Sequence, residues 1–289
     1  MPSYYPITAY VAETGHILRV KNRSGDVHDG KKSLAFLRDV FAQVAETLGH
    51  RYRVNCRLDG AFFLREIIQL LQRRHAGYAI KVPFWRWLDL QTLVRARTRW
   101  TRINPEVDGF EQTVVLEAWQ LALRIVLYRK RVHHRTRKNY QLDIFDPADG
   151  TYEYSAVATN LTLDPRRLWN FMCGRGAHEK AIGELKSGLA FDTIPTNHYG
   201  ANSAWQQIVV LAHNLLTNFQ IETGARPRPR SQKRTALFVL KSVRTLRFEI
   251  FNRAGEVVRP AGATLLRLAR NAKVETLFHR IAHSLDYAA

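Results

Sequence analysis

The stretch from residue 52 to residue 84 places the strongest constraint on the fold, because its hydrophobic pattern changes from strand to helix and back. "YRVNCRL" is rich in strand-forming residues and is followed at once by Asp59, Phe62–Arg73 has helical spacing, and "YAIKVPF" is a second strand that ends beside a proline. A strand, a helix and a strand in this order predict two parallel strands joined by a right-handed crossover. The chain is therefore predicted to be an α/β protein.

The segments on either side of this stretch extend the pattern. Tyr4–Val11 and His16–Asn22 predict an antiparallel hairpin, and Lys32–Leu48 predicts an amphipathic helix. Residues 85–162 carry three strand-like runs, "RIVLYRKR", "YQLDIF" and "YEYSAVATNL". These runs, separated by turn residues, predict an inserted and largely β region.

Helical periodicity returns after the β region. Pro165–Leu189 predicts a helix with Asp164 as its N-cap, and a second helix covers residues 204–219. The tail predicts a basic helix from about residue 233, a hairpin around "FNRAGEVVR" and a last helix to Leu285. We therefore expect four segments, namely residues 1–84 and 163–222 as two parts of one core, residues 85–162 as the insertion, and residues 223–289 as a basic extension.

The net charge of the chain indicates a polyanionic partner. The chain has 44 Lys and Arg against 25 Asp and Glu, which gives a formal charge of +19, and such a charge attracts phosphate-rich surfaces. The run from residue 124 to residue 138 has seven Lys or Arg and no acid, so Arg129, Lys130 and Arg131 are candidate DNA contacts. A solvated strand edge is the alternative. His133 and His134 are expected to belong to the basic surface rather than to bind metal.

Cysteine usage and hydropathy predict the compartment. Cys56 and Cys173 are too few for a disulfide framework and lack the spacing of a zinc site, which favours a reducing environment. No apolar run approaches the roughly 18 residues of a membrane-spanning helix, and the first residues do not resemble a signal peptide. We expect a cytoplasmic protein that does not associate with membranes.

Two places in the sequence offer carboxylates for chemistry. Asp59 follows a central strand, where open α/β sheets place their sites, although an Asp-Gly turn after a strand is the alternative. In "MCGRGAHEKAIGELK", Arg175, Glu179 and Lys186 have spacings that place them within an arc of about 40° on one helix face. A solvated face with an Arg-Glu pair is the alternative for this helix.

The spacing of Arg175, Glu179 and Lys186 resembles the signature of bacterial insertion-sequence DDE transposases that carry a Tyr-Arg-Glu-Lys motif. "YYPITAYVAETGHILRVKNRSGDVHDG" and "NSAWQQIVVLAHNLL" are similar to the early strands of that family and to the helix after its catalytic Glu. The resemblance implies an RNase H-like mixed sheet flanked by helices, with a β-rich insertion before the helix of the catalytic Glu. Asp59 and Glu179 match the second catalytic Asp and the catalytic Glu of the family.

The resemblance also implies chemistry and partners. Members of the family use two Mg²⁺ or Mn²⁺ ions held by three carboxylates, so it implies that Asp59 and Glu179 are metal ligands. It implies further that Arg175 and Lys186 bind phosphates of double-stranded DNA, at terminal inverted repeats and in the target. A homo-oligomer assembled on this DNA is expected.

The chain departs from the family pattern at two places. Met172 stands where the family has the Tyr of its motif, and the strand that carries the first catalytic Asp is expected upstream of the hairpin, which here begins close to Met1. Asp26 and Asp29 lie in a loop that is not expected to supply it. We therefore expect an N-terminally truncated and inactive transposase. A non-enzymatic DNA-binding protein, either a transposition inhibitor or a domesticated fragment, and an RNase H-like nuclease are the alternatives.

Overall fold

The computed structural model describes residues 4–25, 32–49, 52–132, 151–229, 235–269 and 271–286. Its strands are β1 (Ile7–Tyr10), β2 (Ile17–Lys21), β3 (Asn55–Leu58), β4 (Gly77–Val82), β5 (Thr101–Asn104), β6 (Val107–Leu116), β7 (Leu121–Arg131), β8 (Tyr152–Thr159), β9 (Arg226–Pro227), β10 (Phe238–Val239), β11 (Gly255–Val258) and β12 (Leu265–Leu268). Its helices are α1 (Ser33–Leu48), α2 (Arg65–Arg73), α3 (Leu90–Ala96), α4 (Pro165–Cys173), α5 (Gly176–Leu189), α6 (Tyr199–Glu222), α7 (Val243–Leu246) and α8 (Ala272–Asp286). The chain divides into a first unit of residues 1–25 and 176–289 and a second unit of residues 26–175.

A mixed six-stranded sheet organises the second unit. Its strand order is β3-β4-β8-β7-β6-β5, with β3 and β4 parallel and Leu58 opposite Ile80, while all other neighbours are antiparallel. The predictions of an α/β protein and of the parallel strand-helix-strand unit are confirmed. Strands β5 to β8, from the region predicted as an insertion, belong to the same sheet as β3 and β4. The predicted strand "YQLDIF" lies outside the described residues.

Both faces of this sheet are covered, and the alternation of side chains along each strand decides which residues face which layer. Ile125 and Leu127 of β7 face the layer of α1, α2 and α3, whereas Val126 and Tyr128 face α4. Helix α2 contributes the fully buried Ile67, Ile68 and Leu71 to the first layer. Each such burial contributes about 1.5–3 kcal/mol to folding. Every residue of β4 except Lys81 is accordingly buried, as expected for a strand covered on both faces.

The predicted continuous helix over Pro165–Leu189 is two helices, α4 and α5. The Asp164 cap is confirmed, because its side chain accepts a 2.9 Å hydrogen bond from the backbone N–H of Arg167. The interruption falls where glycines flank Arg175, and a glycine inside a helix costs about 1 kcal/mol relative to alanine. The backbone N–H of Arg175 donates to the Met172 carbonyl at 3.0 Å, which closes the end of α4. Arg175 therefore lies in the junction and outside both helices.

The first unit contains the predicted hairpin, which is confirmed as the antiparallel pair β1 and β2. It packs with α5 and α6 in a cluster that includes the buried Ile17, Leu185 and Val209. Side chains of α6 bond to the backbone of β2, with Asn214 receiving a hydrogen bond from the Ile17 N–H and donating to its carbonyl. These bonds satisfy backbone groups that a strand of a two-stranded sheet would otherwise leave open.

The C-terminal part of the first unit differs in detail from its prediction. The hairpin predicted around "FNRAGEVVR" is present as β11 and β12, but its turn is formed by Pro260–Gly262, directly after that stretch. A short helix, α7, occupies part of the segment predicted as a basic helix, and α8 confirms the last helix. In the part of the chain that the structure describes, no helix is both long and apolar enough to span a bilayer.

Candidate active site

Asp59 follows β3 at its carboxyl end and begins a short 3₁₀ turn, Gly60–Phe62. Its Oδ1 atom accepts a 2.7 Å hydrogen bond from the backbone N–H of Gly60. The turn-forming role considered for Asp59 is therefore present in the structure. The turn leaves the Asp59 carboxylate accessible, because 54% of the side chain is exposed.

The same oxygen of Asp59 binds Arg175. The Nη1 atom of Arg175 lies 2.7 Å from Oδ1 of Asp59, and 33% of the arginine side chain is exposed. The structure thus brings together a residue of the β3 end and a residue of the α4–α5 junction. This contact was not expected, since the sequence places Arg175 on the helix of Glu179 and assigns it to DNA phosphate.

Arg57, which lies within β3 two residues before Asp59, holds the same junction. Its Nη1 atom donates a 2.9 Å hydrogen bond to the Phe171 carbonyl, and its guanidinium carbon lies 4.9 Å from the centre of the Phe171 ring. A cation at the carboxyl end of a helix is stabilised by the helix dipole. A Cβ atom at position 174 would lie 1.7 Å from Nη1 of Arg57, so a side chain there would displace the guanidinium. Sequence reasoning missed Arg57, although an arginine within a half-buried strand that ends in an aspartate is a usable signal.

Glu179 and Lys186 are placed on α5, in its first and last turns. Both side chains are exposed, and their spacing of seven residues places them on the same side of the helix. His178, beside Glu179, was also missed. Its Nε2 atom lies 2.8 Å from the Thr8 hydroxyl and its ring stacks on Tyr10 at 5.3 Å, so the first turn of α5 is attached to β1.

The basic side chains of β7 are less available for binding DNA than the sequence indicates. Arg129 forms a 3.0 Å ion pair with Asp108 and packs between the rings of Trp100 and Tyr152, at 4.7 and 4.6 Å. Arg124 pairs with Glu111 and donates to two backbone carbonyls. Lys130 and Arg131 are exposed. His133, His134 and the rest of the run lie outside the described residues.

Both cysteines are free thiols. Burial raises the pKa of the Cys56 thiol to about 12. Burial also raises the pKa of Cys173, and the nearby Lys130 charge opposes this shift. Neither thiol is therefore activated as a nucleophile at neutral pH.

The carboxylates have the donor chemistry of a magnesium or manganese site, since both ions prefer hard oxygen ligands. Asp59 presents a half-exposed carboxylate with one oxygen already bound to Arg175. In the described ranges, no three His, Cys, Asp or Glu side chains are grouped so that they could hold a metal ion. The donor type fits the metal, whereas the ion pair of Asp59 places a cation beside the position that a metal would use.

Comparison with known proteins identifies the family. The family model described as transposase DDE domain group 1 matches residues 2–289. Among curated proteins, none matches the chain significantly. Since the family model covers almost the whole chain, the chain belongs to the DDE transposases of this group.

Proposed function

We propose that this protein is the transposase of a bacterial insertion sequence, which cuts and joins DNA at the ends of the element. The observation that carries the proposal is the family match over residues 2–289. The formal charge of +19 supports a DNA substrate. The mixed sheet with its parallel β3–β4 pair supports an RNase H-like core.

Asp59 and Glu179 are the proposed metal ligands. Asp59 is held at the end of β3 by the Gly60 N–H, and Glu179 is held on a helix whose first turn is attached to β1 through His178. Each carboxylate is thus held at a defined place within its own unit. When bound, Mg²⁺ or Mn²⁺ would supply activation of the attacking oxygen and stabilisation of the leaving oxygen at phosphorus.

The proposed DNA contacts are the exposed cations. Lys186 lies on the same side of α5 as Glu179, and Lys130 and Arg131 extend from the end of β7. Each is positioned by a regular element, so each can bind a phosphate without ordering a long loop. A homo-oligomer on double-stranded DNA is part of this proposal, since a transposase joins two ends of one element.

Mn²⁺ binding tests the assignment of the ligands. We expect Asp59→Asn and Glu179→Gln each to weaken Mn²⁺ binding, measured by electron paramagnetic resonance, by about tenfold or more, because each removes a charged oxygen donor. Glu117→Gln removes an equal charge from an exposed turn and should leave Mn²⁺ binding unchanged. Equal binding by all three variants would exclude Asp59 and Glu179 as ligands.

DNA from the borders of the gene distinguishes the alternatives. A transposase should bind this DNA and, with Mg²⁺, cleave at the element ends. Binding without any Mn²⁺ affinity would favour the non-enzymatic DNA-binding protein. Cleavage without preference for terminal sequence would favour a nuclease.

A further inference from the structure

We propose that helix α6 pairs in antiparallel orientation with the α6 helix of a second copy of this chain. The contact is an exposed stripe, the α6 seam, which consists of Ala201, Ala204, Ile208, Leu211, Leu215, Asn218 and Glu222. This inference names a surface for the homo-oligomer of the proposed function, and it rests on that function only for the use of the dimer on DNA.

The two sides of α6 have the reverse of the usual polarity. Towards its own unit, the helix buries polar side chains next to apolar ones, namely Asn202, Gln206 and Thr217. Towards solvent it presents large apolar side chains, with 58% of Ile208, 57% of Leu211 and 62% of Leu215 exposed. A surface helix normally turns its polar side to water. An exposed apolar stripe of this kind therefore indicates a contact with another molecule.

The spacing of the seam is that of a coiled coil. Its seven members are all exposed, and the steps between them alternate between three and four residues from Ala201 to Glu222. A repeat of this kind keeps one stripe directed at a single partner helix along its length. Helix α6 has 24 residues, which corresponds to a length of about 36 Å. The geometry of the seam therefore fits a second helix.

The charges of α6 favour a second copy of this helix over DNA. Glu222 is the one Asp, Glu, Lys or Arg of α6 and lies in its last turn, where it is next to the negative end of its own helix dipole. The first turn contains no acid, and among the described residues no side chain caps it. In an antiparallel pair, Glu222 of each copy lies beside the positive start of the other helix. A DNA phosphate would find no Lys or Arg on α6.

The sizes of the side chains also match in this orientation. With Leu211 on the two-fold axis, Ile208 faces Leu215 of the second copy and Ala204 faces Asn218, because facing residues are equally far from the centre. The small Ala204 leaves room for the larger Asn218. A parallel pair would instead place Glu222 against Glu222, which is unfavourable because the charges are alike.

The dimer is expected to be weak. A standard interface buries about 800 Å² on each partner, whereas the seam has three large apolar side chains per copy. The formal charge of +19 on each copy opposes association. We therefore expect a dissociation constant of about 1–100 µM in about 0.5 M salt, and weaker binding in low salt, where repulsion is less screened.

Analytical ultracentrifugation of the full chain over a concentration series in this salt measures the dimer. Leu211→Lys places two cations at the two-fold axis and should weaken dimerisation by about tenfold or more. Val115→Lys is the matched control, because Val115 on β6 is 67% exposed and the variant changes the net charge equally. This control should dimerise like the wild type.

Disulfide crosslinking tests the orientation of the two helices. The background is Cys173→Ser, since Cys173 is an exposed free thiol. A mixture of Ala204→Cys and Asn218→Cys should form linked dimers under mild oxidation, whereas either variant alone should form few. A parallel pair would give the opposite result, because each position would then face itself.

A wild type that stays monomeric at about 100 µM, or a Leu211→Lys variant that dimerises like the wild type, would overturn the α6 pair. Crosslinking of Ala204→Cys with itself would overturn the antiparallel orientation. These measurements contain neither DNA nor metal, so their failure leaves the proposed cutting and joining of DNA standing. Failure of the assay with DNA from the borders of the gene would overturn that activity and leave the α6 pair standing.

Discussion

Two arginine–carboxylate pairs of the second unit differ in how firmly they are held. Arg129 of β7 lies directly opposite Asp108 of β6 in the strand register and is enclosed by Trp100 and Tyr152. Arg175 reaches Asp59 from a junction flanked by glycines, at a half-exposed strand end. The difference teaches that an ion pair enclosed by aromatic rings within a sheet is part of the packing, whereas a half-exposed pair at a strand end contributes little to stability.

The largest effect that we expect is the loss of folding stability in Arg129→Ala. The variant removes the ion pair and two cation–π contacts and leaves Asp108 without its partner, which should lower the free energy of unfolding by about 2–3 kcal/mol. Urea denaturation measures the change. Lys130→Ala, at the next and exposed position, should change stability by less than about 0.5 kcal/mol. Similar stabilities for both variants would show that Arg129 contributes no more to folding than an exposed cation on the same strand.

For DNA binding we expect the exposed cations of β7 to matter more than the enclosed Arg129. The double variant Lys130→Ala, Arg131→Ala should weaken binding by about tenfold or more in low salt, because each exposed cation contributes one phosphate contact. The slope of log affinity against log salt should decrease by about two units or less. Titrations across a salt series measure both quantities. Affinity that does not depend on salt would contradict a phosphate-binding role for β7.

Lys186 on α5 is expected to make a single contact with a DNA phosphate. Lys186→Ala should weaken DNA binding about fivefold across sequences and flatten the salt slope by about one unit or less. Lys241→Ala is a useful control, since Lys241 is engaged by Glu249 within the first unit. The assignment of Lys186 fails if the two variants lower DNA affinity equally.

A small stability effect is expected from Arg175→Ala. Because its pair with Asp59 is half exposed, the variant should lose about 0.2–1 kcal/mol of unfolding free energy. Comparison with Arg129→Ala in the same denaturation assay sharpens the contrast between the two pairs. A loss as large as that of Arg129→Ala would show that the two pairs stabilise the fold equally and would contradict the comparison.

The smallest effect concerns two histidines, His16 and His213, whose pKa is lowered by burial. Burial lowers the pKa of His213 on α6, although its bond to the Gly15 carbonyl and the Glu184 charge oppose the shift. Burial and, secondarily, the His213 charge lower the pKa of His16. A lowered folded pKa means that the unfolded chain binds more protons, so stability is complete above the unfolded value near 6.5 and declines as pH falls below it.

Denaturation at a series of pH values measures this slope. His213→Gln should reduce the slope between pH 6.5 and the lowered folded value, because one of the two groups no longer titrates. The same slope in wild type and variant would show that His213 does not contribute to the pH dependence.

The sequence predicted the elements whose signals are local. The change of periodicity between residues 52 and 84 predicted the β3–α2–β4 unit, because the spacing of apolar residues reflects which side of an element is buried. Asp164 predicted the start of α4, because an N-cap side chain bonds to its own neighbouring backbone. The C-terminal hairpin was predicted around "FNRAGEVVR", whereas its turn lies at Pro260–Gly262, because the pairing of β11 with β12 decides where the chain reverses.

The sequence by itself thus determined the α/β class, the parallel pair, the hairpin and the end of β3 where Asp59 stands. Only the tertiary structure decided which charges are paired. The run on β7 contains no acid, but its arginines form ion pairs with Asp108 and Glu111 of β6. Arg175 forms an ion pair with Asp59, which follows a strand far away in the sequence. The physical reason is that helix and strand periodicity are set by neighbours a few residues apart, whereas the partner of a charge is set by strand register and by the packing of distant segments.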